Sequence, residues 1–167
     1  MTSLSVSWSR RQVNRGNSMQ FPLNISEHPE LLPHRDPMVW VDCILEADGQ
    51  SGRTAVTLDR SLMLIDDRLY TGALIEFVAQ SYGFIMALEA RGRGERLKLT
   101  QLASIDHFEL LTAELPPAGA TLTAELSTTR DMHPLYLVNG RVYTDSGEQL
   151  CEINFKGFAR FESEDAD

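Results

Sequence analysis

One long segment of the chain is apolar on almost every side of a predicted helix. The segment GALIEFVAQSYGFIMALEAR, from Gly72 to about Arg91, leaves only a narrow polar seam between its apolar residues. Glycines at positions 92 and 94 predict where the helix ends. A helix with this pattern must be covered on most of its faces, so we expect it at the centre of the fold.

Strand-forming runs lie on both sides of this helix. Upstream, MVWVDCILEADGQSGRTAVTLD contains two β-rich runs around an Asp-Gly-Gln-Ser-Gly turn, which predicts a hairpin. The segment from Leu62 to Tyr70 is then expected to be a short loop. Downstream, turn residues separate four more runs, namely KLTQLASIDHFEL, ATLTAELSTTRD, LYLVNGRVYTD and EQLCEINFKGFARF. The order, a β-hairpin followed by one long helix and then an antiparallel meander, predicts an α+β fold in which one helix covers a whole sheet.

The length of the chain favours a single domain. Its 167 residues, 43% of them hydrophobic, are enough for one core. We expect this domain at residues 30–163, after a partly disordered N-terminal extension at 1–29 and before an acidic tail at 164–167. One sheet cannot cover every side of the helix, so a second copy of the chain would cover the rest. The pattern therefore predicts a homodimer.

Net charge and hydropathy limit which binding partners and which cellular location we expect for the protein. A formal charge of -9 argues against nucleic-acid binding, which depends on Lys and Arg neutralising phosphates. The single basic cluster, at Arg91, Arg93, Arg96 and Lys98, is either a patch for an acidic partner protein or a solvated helix end. The chain shows neither a signal peptide nor an apolar run of about 18 residues, so we expect a cytoplasmic protein that does not enter a membrane.

The two cysteines are expected to be packing residues. Cys43 and Cys151 lie far apart in strand-like runs and lack the spacing of metal ligands or of a disulfide framework. We predict no metal site and no cofactor.

A carboxylate, Glu76, interrupts the apolar helix, and Gln80 follows it one turn later. Gly72 and Gly83 extend the same seam. A buried carboxylate needs a hydrogen-bond partner or must be neutral. Two hypotheses remain open: Glu76 is a structural group satisfied by Gln80, by backbone or in a dimer seam, or it is a general acid or base. The second is favoured by the nearby helix N-terminus, whose free N–H groups can polarise a carbonyl oxygen.

Two motifs resemble those of the 3-hydroxyacyl-[acyl carrier protein] dehydratases, which have the hotdog fold. They are LPHRDPMVWVD at 32–42 and IEFVAQSYG at 75–83, and they resemble the opening motif and the central-helix motif of that family. LASIDHF at 102–108 and LPPAGATL at 115–122 fall where the family has its third strand and the following turn. The resemblance covers about residues 30–160 and is greatest to a divergent branch associated with aryl-polyene and related polyketide-like pathways. It implies the hotdog architecture, in which one long central helix is wrapped by a curved antiparallel sheet of five to seven strands. It also implies a dimer with two sites at the subunit interface and a substrate bound to acyl carrier protein or coenzyme A.

The resemblance also implies roles for individual residues. Glu76 falls on the catalytic carboxylate of the family and Gln80 on its neighbouring glutamine. Gly72 lies near the glycine whose N–H contacts the thioester oxygen, although one position closer to the carboxylate than usual. His34 falls on a motif histidine that is structural in the family. We further expect the substrate to be lined by Tyr70, Thr71, Gly72 and Gly83.

The chain departs from the family at the catalytic histidine. That histidine belongs to a His-Phe-Pro-Gly loop, which falls on Leu62 or Met63 here. Dehydration needs both a base and an acid, so Glu76 requires a second group. Candidates are His107 and the loop residues Asp66 and Asp67, although acids at this position equally serve to cap the helix N-terminus.

Three functions therefore remain open. The first is a dehydratase for 3-hydroxyacyl thioesters with an unconventional partner for Glu76, in fatty acid or polyketide-type biosynthesis. The second is a hotdog acyl thioesterase that uses the same carboxylate to activate water or to attack directly. The third is a catalytically silent or acyl-binding subunit that pairs with an active homologue, which would make the assembly a heteromer or a higher oligomer.

Overall fold

A computed structural model describes residues 20–163 as one helix and nine strands. In chain order these are β1 (Leu23–Asn24), β2 (Cys43–Asp48), β3 (Ser51–Thr57), β4 (Leu64–Ile65), β5 (Arg68–Leu69), α1 (Thr71–Gly92), β6 (Glu95–Leu110), β7 (Thr121–Met132), β8 (Leu135–Thr144) and β9 (Gln149–Ser163). Seven strands form one antiparallel sheet in the order β1-β2-β3-β7-β8-β9-β6. The predicted α+β architecture of one helix against an antiparallel sheet is confirmed.

The predicted elements agree closely with the observed ones, except in the segment before α1 and on the N-terminal side, where β1 and the 3-10 turn at Ile25–Glu27 were not predicted. The β2–β3 hairpin turns at Gly49, whose φ of 61° is in the left-handed region that glycine adopts without strain. The segment expected to be a short loop instead contains a 3-10 turn at Ser61–Met63 and the small β4–β5 hairpin. Its two turn residues, Asp66 and Asp67, have φ values of 51° and 59°. Aspartate tolerates this conformation, so the Asp-Asp pair makes the turn that the sequence pattern did not reveal.

Helix α1 forms the centre of the core, and the sheet approaches it closely at two glycines. A Cβ atom on Gly140 of β8 would lie 2.8 Å from Val78 Cγ1, and one on Gly157 of β9 would lie 3.0 Å from the ring of Tyr82. By length and composition α1 could span a membrane, but 72% of its apolar window is buried inside the fold. That burial is typical of a core helix.

Strand β6 is a long edge strand with apolar side chains in solvent. It pairs with β9 over 16 residues, and no described strand pairs with its other edge. Leu99, Leu102 and Ile105 are 39%, 38% and 40% exposed. Long apolar edges of this kind are templates for pairing with another chain.

The ends of the predicted domain are only partly described. Strand β1 and the 3-10 turn at Ile25–Glu27 precede the expected boundary at residue 30 and still contribute Leu23 and Ile25 to the core. Residues 1–19 and 164–167, which include most of the predicted extension and the acidic tail, lie outside the described residues.

The basic cluster at the end of α1 is matched by carboxylates. Arg91 pairs with Glu30, Arg93 pairs with Glu89 and Glu95, and Arg96 and Lys98 both pair with Glu162. Such pairing reduces the positive potential that an acidic partner would meet, which favours the interpretation as a solvated helix end.

Both cysteines are free thiols in packed positions. Burial raises the pKa of Cys151 to about 11 and also raises the pKa of the half-buried Cys43 thiol. Thiols of this kind are poor nucleophiles at neutral pH.

Candidate active site

The side chain of Gln80 joins the two motifs that the sequence singled out. Its Oε1 accepts a hydrogen bond from the backbone N–H of Trp40 over 2.8 Å, and its Nε2 donates to the backbone carbonyl of Met38 over 2.8 Å. The second N–H of the same amide donates to Glu76 Oε1 over 2.7 Å. Gln80 is only 3% exposed, so these three bonds satisfy a buried amide.

This network determines which way the Gln80 amide points. Trp40 N–H requires an acceptor and the Met38 carbonyl requires a donor, so the oxygen must face Trp40 and the NH₂ group must face Met38. The NH₂ group consequently faces Glu76 as well, and Glu76 Oε1 acts as an acceptor. One carboxylate oxygen is therefore held in place, and Glu76 Oε2 is left for other contacts.

Glu76 faces a small cavity beside α1. The cavity has a volume of about 150 Å³. Helix residues Glu76, Gln80 and Tyr82 line one side, and Thr100 and Leu102 of the edge strand β6 line another. The other lining residues are Ala79 of α1, Gln101 of β6, Leu32, His34, Phe155 and Gly157. A half-buried carboxylate at such a cavity has the geometry of a general acid or base.

His34 shares this cavity with Glu76. The backbone around it is held by Arg35, whose Nη1 donates to the carbonyls of Leu32 and His34 over 2.8 and 2.7 Å. The His34 ring is partly exposed, but its Nδ1 atom is buried and has no hydrogen-bond partner among the described residues. The family resemblance predicts a structural role for this histidine. Nothing in the neighbouring sequence predicts that His34 lines this cavity.

The three other candidates for the partner of Glu76 lie elsewhere in the described chain. His107 is exposed on β6, with Nε2 3.7 Å from a Glu109 oxygen, and it does not line the cavity. Asp66 and Asp67 form the exposed turn of the β4–β5 hairpin. Helix α1 begins at Thr71 with Tyr70 as its N-cap, has no side-chain cap and has no acid in its first turn, so these aspartates do not cap it.

The position expected for the family histidine contains no polar group. Met63 is fully buried in the core, and Leu62 is 42% exposed. The 3-10 turn at Ser61–Met63 thus directs an apolar side chain inward where the family would carry its catalytic imidazole.

The residues expected to line the substrate occupy two places. Tyr70, Thr71 and Gly72 form the uncapped start of α1. Gly72 is exposed, and a Cβ there would lie 2.8 Å from Cε2 of the Tyr70 ring. Gly83 is buried instead, and a Cβ there would lie 3.2 Å from Leu32 Cδ1. Its position lets Leu32 approach the helix, which brings the segment that carries His34 close to α1.

The acidic end of the opening motif has a structural role. Asp42 Oδ1 accepts from Arg60 Nη2 over 2.6 Å, and Asp42 Oδ2 accepts from the backbone N–H of Thr57 over 2.6 Å. These bonds fix the start of β2 against β3. Asp42 and Arg60 line a second cavity of about 380 Å³, which lies on the N-terminal side and also touches Leu32 and His34. Within residues 20–163, no three His, Cys, Asp or Glu side chains are grouped as metal ligands.

Comparison with known proteins supplies a family. A family model described as "ApeP-like: ApeP dehydratase" matches residues 26–161. The 3-hydroxyacyl-[acyl-carrier-protein] dehydratase FabZ of Aliivibrio fischeri is 28% identical over 145 residues, covering 80% of this chain and 91% of the relative. The Vibrio cholerae protein of the same name is 26% identical over 145 residues, covering 80% and 90%.

Solved structures share the fold. The dehydratase heterocomplex ApeI:P from Xenorhabdus doucetiae matches with a TM-score of 0.71 and 19% identity, covering 79% of this chain and 90% of that chain. The E. coli PaaI protein from a phenylacetic acid degradation operon matches with a TM-score of 0.57 and 14% identity, covering 72% and 79%. With one long helix against a seven-stranded antiparallel sheet, the chain has the hotdog fold.

Proposed function

Because the chain belongs to the ApeP-like dehydratase family, we propose that it removes water from 3-hydroxyacyl chains carried as thioesters on acyl carrier protein or coenzyme A, in fatty acid or polyketide-type biosynthesis in the cytoplasm. The observation that carries this proposal is the Gln80 amide, which holds Glu76 at the cavity by a 2.7 Å hydrogen bond. A positioned carboxylate is what elimination requires, since one group must take the α-proton or protonate the leaving hydroxyl.

The start of α1 supports a thioester substrate. The helix has no side-chain cap, and the glycine at its second residue is exposed. N–H groups in the first turn of a helix can stabilise the negative charge that develops on a thioester oxygen when the α-proton is removed. In this assignment Gly72 holds the thioester carbonyl, and Tyr70 and Thr71 contact the acyl carrier arm beside it.

A dimer through β6 would complete the site. Leu102 both lines the cavity and is 38% exposed at the sheet edge, so a chain pairing with β6 would close the cavity on that side. We propose a homodimer as the simplest assembly. A heteromer with a homologue is the alternative, favoured by Met63 and Leu62 at the histidine position and by the name of the Xenorhabdus doucetiae heterocomplex.

The proposal is tested by following 3-hydroxybutyryl-pantetheine with mass spectrometry. Loss of one water identifies dehydration, whereas a free thiol together with the hydroxy acid identifies thioesterase activity. Glu76→Gln keeps the size of the side chain and the hydrogen bond from Gln80, but the amide cannot exchange a proton. We therefore expect turnover to fall by a factor of about 100 or more. Glu89→Gln is the matched control, since Glu89 lies on the same helix and pairs with Arg93, and it should change turnover less than about threefold.

The outcomes separate the three functions. Full activity of Glu76→Gln, or hydrolysis in place of dehydration, would contradict the proposal. Turnover that appears only when a homologue with a loop histidine is added would support a heteromeric dehydratase. Binding of the substrate without turnover in any combination would favour a silent acyl-binding subunit.

A further inference from the structure

His34 differs from the other histidines of the chain in its surroundings. The chain has four histidines, and all lie within the described residues 20–163. His28 Nδ1 faces Glu30 Oε1 at 3.3 Å, His133 Nδ1 faces the Tyr136 hydroxyl at 3.0 Å, and His107 faces Glu109. His34 alone lines the cavity of Glu76, and its Nδ1 is buried without a described partner.

An unpaired buried nitrogen is unusual for a histidine with a purely structural role. Leaving a buried polar atom without a hydrogen bond costs about 1 to 3 kcal/mol, so structural histidines are normally paired. Tyr82 also lines the cavity, but its hydroxyl is bonded to Thr128 Oγ1 at 3.0 Å, and burial raises its pKa. Among the described residues of the cavity, the groups free to exchange protons with a substrate are therefore Glu76 and His34.

The same glutamine positions both groups. Gln80 bonds Glu76 directly and bonds Met38 and Trp40, which follow His34 in the chain. The turn between them is closed by the Met38 N–H, which donates to the Arg35 carbonyl over 2.8 Å. Arg35 in turn fixes the carbonyl of His34. The Glu76 carboxylate and the backbone of His34 are thus held by one hydrogen-bond network, which suits groups that act on one substrate.

The cavity between them has the size of a reacting centre. At about 150 Å³ it offers the space of about five water molecules at liquid density. That is enough for the α- and β-carbons, the hydroxyl and the thioester carbonyl. A longer acyl chain would have to extend past the edge of β6.

We propose that His34 is the second acid–base residue of this site, a proposal that rests on the proposed dehydratase function. Nε2 of His34, the ring nitrogen that is not buried and has no described partner, takes the proton from the α-carbon. The electron pair of that C–H bond forms the new C=C bond, and the β-hydroxyl leaves with a proton from Glu76 as one water. His34 then carries one extra proton and Glu76 has lost one, and transfer of that proton between them restores the starting pair. No cofactor or co-reactant is required.

The experiment uses the purified full-length chain and compares His34→Ala, His34→Gln and Glu76→Gln, with His28→Gln as the matched control. His28 is a histidine of the same N-terminal segment that does not line the cavity. Measured are kcat and KM for 3-hydroxybutyryl-pantetheine, exchange of its α-proton in D₂O, and recovery of the His34→Ala variant by added imidazole. His34→Gln is included in case His34→Ala fails to fold.

We expect both His34 variants to lose about 10² or more in kcat and in α-proton exchange, with KM within about threefold and with His28→Gln near wild type. Imidazole should restore His34→Ala at least about tenfold, because a small base can enter the emptied space. A purely structural role would give no such recovery.

Three results would overturn the role of His34. One is wild-type turnover in both His34 variants while Glu76→Gln is inactive, which leaves the proposed dehydratase function intact. Another is a loss of catalytic efficiency that comes from KM alone, or a loss of turnover in His34→Ala that imidazole does not restore. The third is a wild-type chain that turns over only with an added homologue, since the second group then comes from that protein. If Glu76→Gln is fully active, the proposed function itself fails.

Discussion

Gln80 Nε2 donates a hydrogen bond to Glu76 Oε1 over 2.7 Å, one turn apart on α1. The same amide spans to the backbone of Met38 and Trp40, about 40 residues earlier in the chain. Gln80 is therefore both a support for the carboxylate and the anchor of the opening motif. These two functions can be separated by mutation.

Gln80→Leu should destabilise the fold, whereas Glu76→Gln should not. Leucine fills a similar space but leaves the buried Trp40 N–H and the Met38 carbonyl without a partner. At about 1 to 2 kcal/mol for each group, we expect the free energy of unfolding to fall by about 2 to 4 kcal/mol. Glu76→Gln keeps both backbone bonds and should cost less than about 1 kcal/mol. Urea unfolding followed by circular dichroism measures both, and equal losses would show that Gln80 does not anchor the opening motif.

Gly140→Ala should destabilise the protein and Gly92→Ala should not. A Cβ at Gly140 would lie 2.8 Å from Val78 Cγ1 and 3.1 Å from Ile153 Cγ2, so the helix and sheet would have to separate. We expect a loss of about 1 to 3 kcal/mol in the free energy of unfolding. At Gly92, the last residue of α1, nothing lies within 4 Å, and alanine should stabilise the helix by up to about 1 kcal/mol. Thermal unfolding of the two variants checks the contrast. If Gly140→Ala left the free energy of unfolding unchanged, the helix and sheet would not be closely packed at Val78.

Ile105→Lys should convert the proposed dimer into monomers. Ile105 is 40% exposed on the edge strand β6, and a dimer that pairs along this edge would bury a lysine charge there. We expect the dimer dissociation constant to rise at least about tenfold in sedimentation velocity. Met132→Lys is the matched control, because Met132 is 43% exposed at the far end of the β7–β8 hairpin. Equal effects of the two substitutions, or a monomeric wild type, would argue against this interface.

The contribution of Glu152 to stability should disappear in acid. Hydrogen bonds from Asn139 and then Arg141 lower the pKa of Glu152 below its usual value of 4.5. A carboxyl whose folded pKa is depressed stabilises the native state above its unfolded pKa, and the contribution is lost as pH falls through the folded pKa. Glu152→Gln should therefore lower the urea midpoint at pH about 7. It should have no effect at a pH below both the folded and the unfolded pKa of Glu152, where the carboxyl is protonated in both states. In an Arg141→Gln background the effect at neutral pH should be smaller, and an undiminished effect would leave Asn139 as the main partner.

Secondary structure was largely predictable from local pattern. The apolar run of α1 and the β-rich runs around turn residues predicted the helix within one residue of each end and all but the shortest strands. The β4–β5 hairpin was not predicted, because its strands are two residues long and its turn uses Asp66 and Asp67 instead of glycine. Two-residue strands leave no alternation to detect.

The candidate site was predictable only in part. Residues close together in sequence were recognised as a group, whereas a residue far away in sequence was not. Glu76 and Gln80 were recognised together because a spacing of four places two side chains on one helix face, and that geometry is local. His34 was given a structural role from the family resemblance, and nothing near it in sequence shows which cavity it faces. Its position depends on Gly83 admitting Leu32 and on Gln80 binding Met38 and Trp40.

The sequence by itself determined the elements, the α+β class, and the carboxylate–glutamine pair in an apolar helix. Those features follow from periodicity and short-range stereochemistry, which act within a few residues. Tertiary structure alone decided that Met63 rather than Leu62 points into the core at the position of the expected histidine. It also decided that His107 faces solvent and that His34 shares a cavity with Glu76. The bonds of Gln80 and the cavity shared by His34 and Glu76 join residues about 40 positions apart. They depend on packing of the whole core, which no local pattern of side chains encodes.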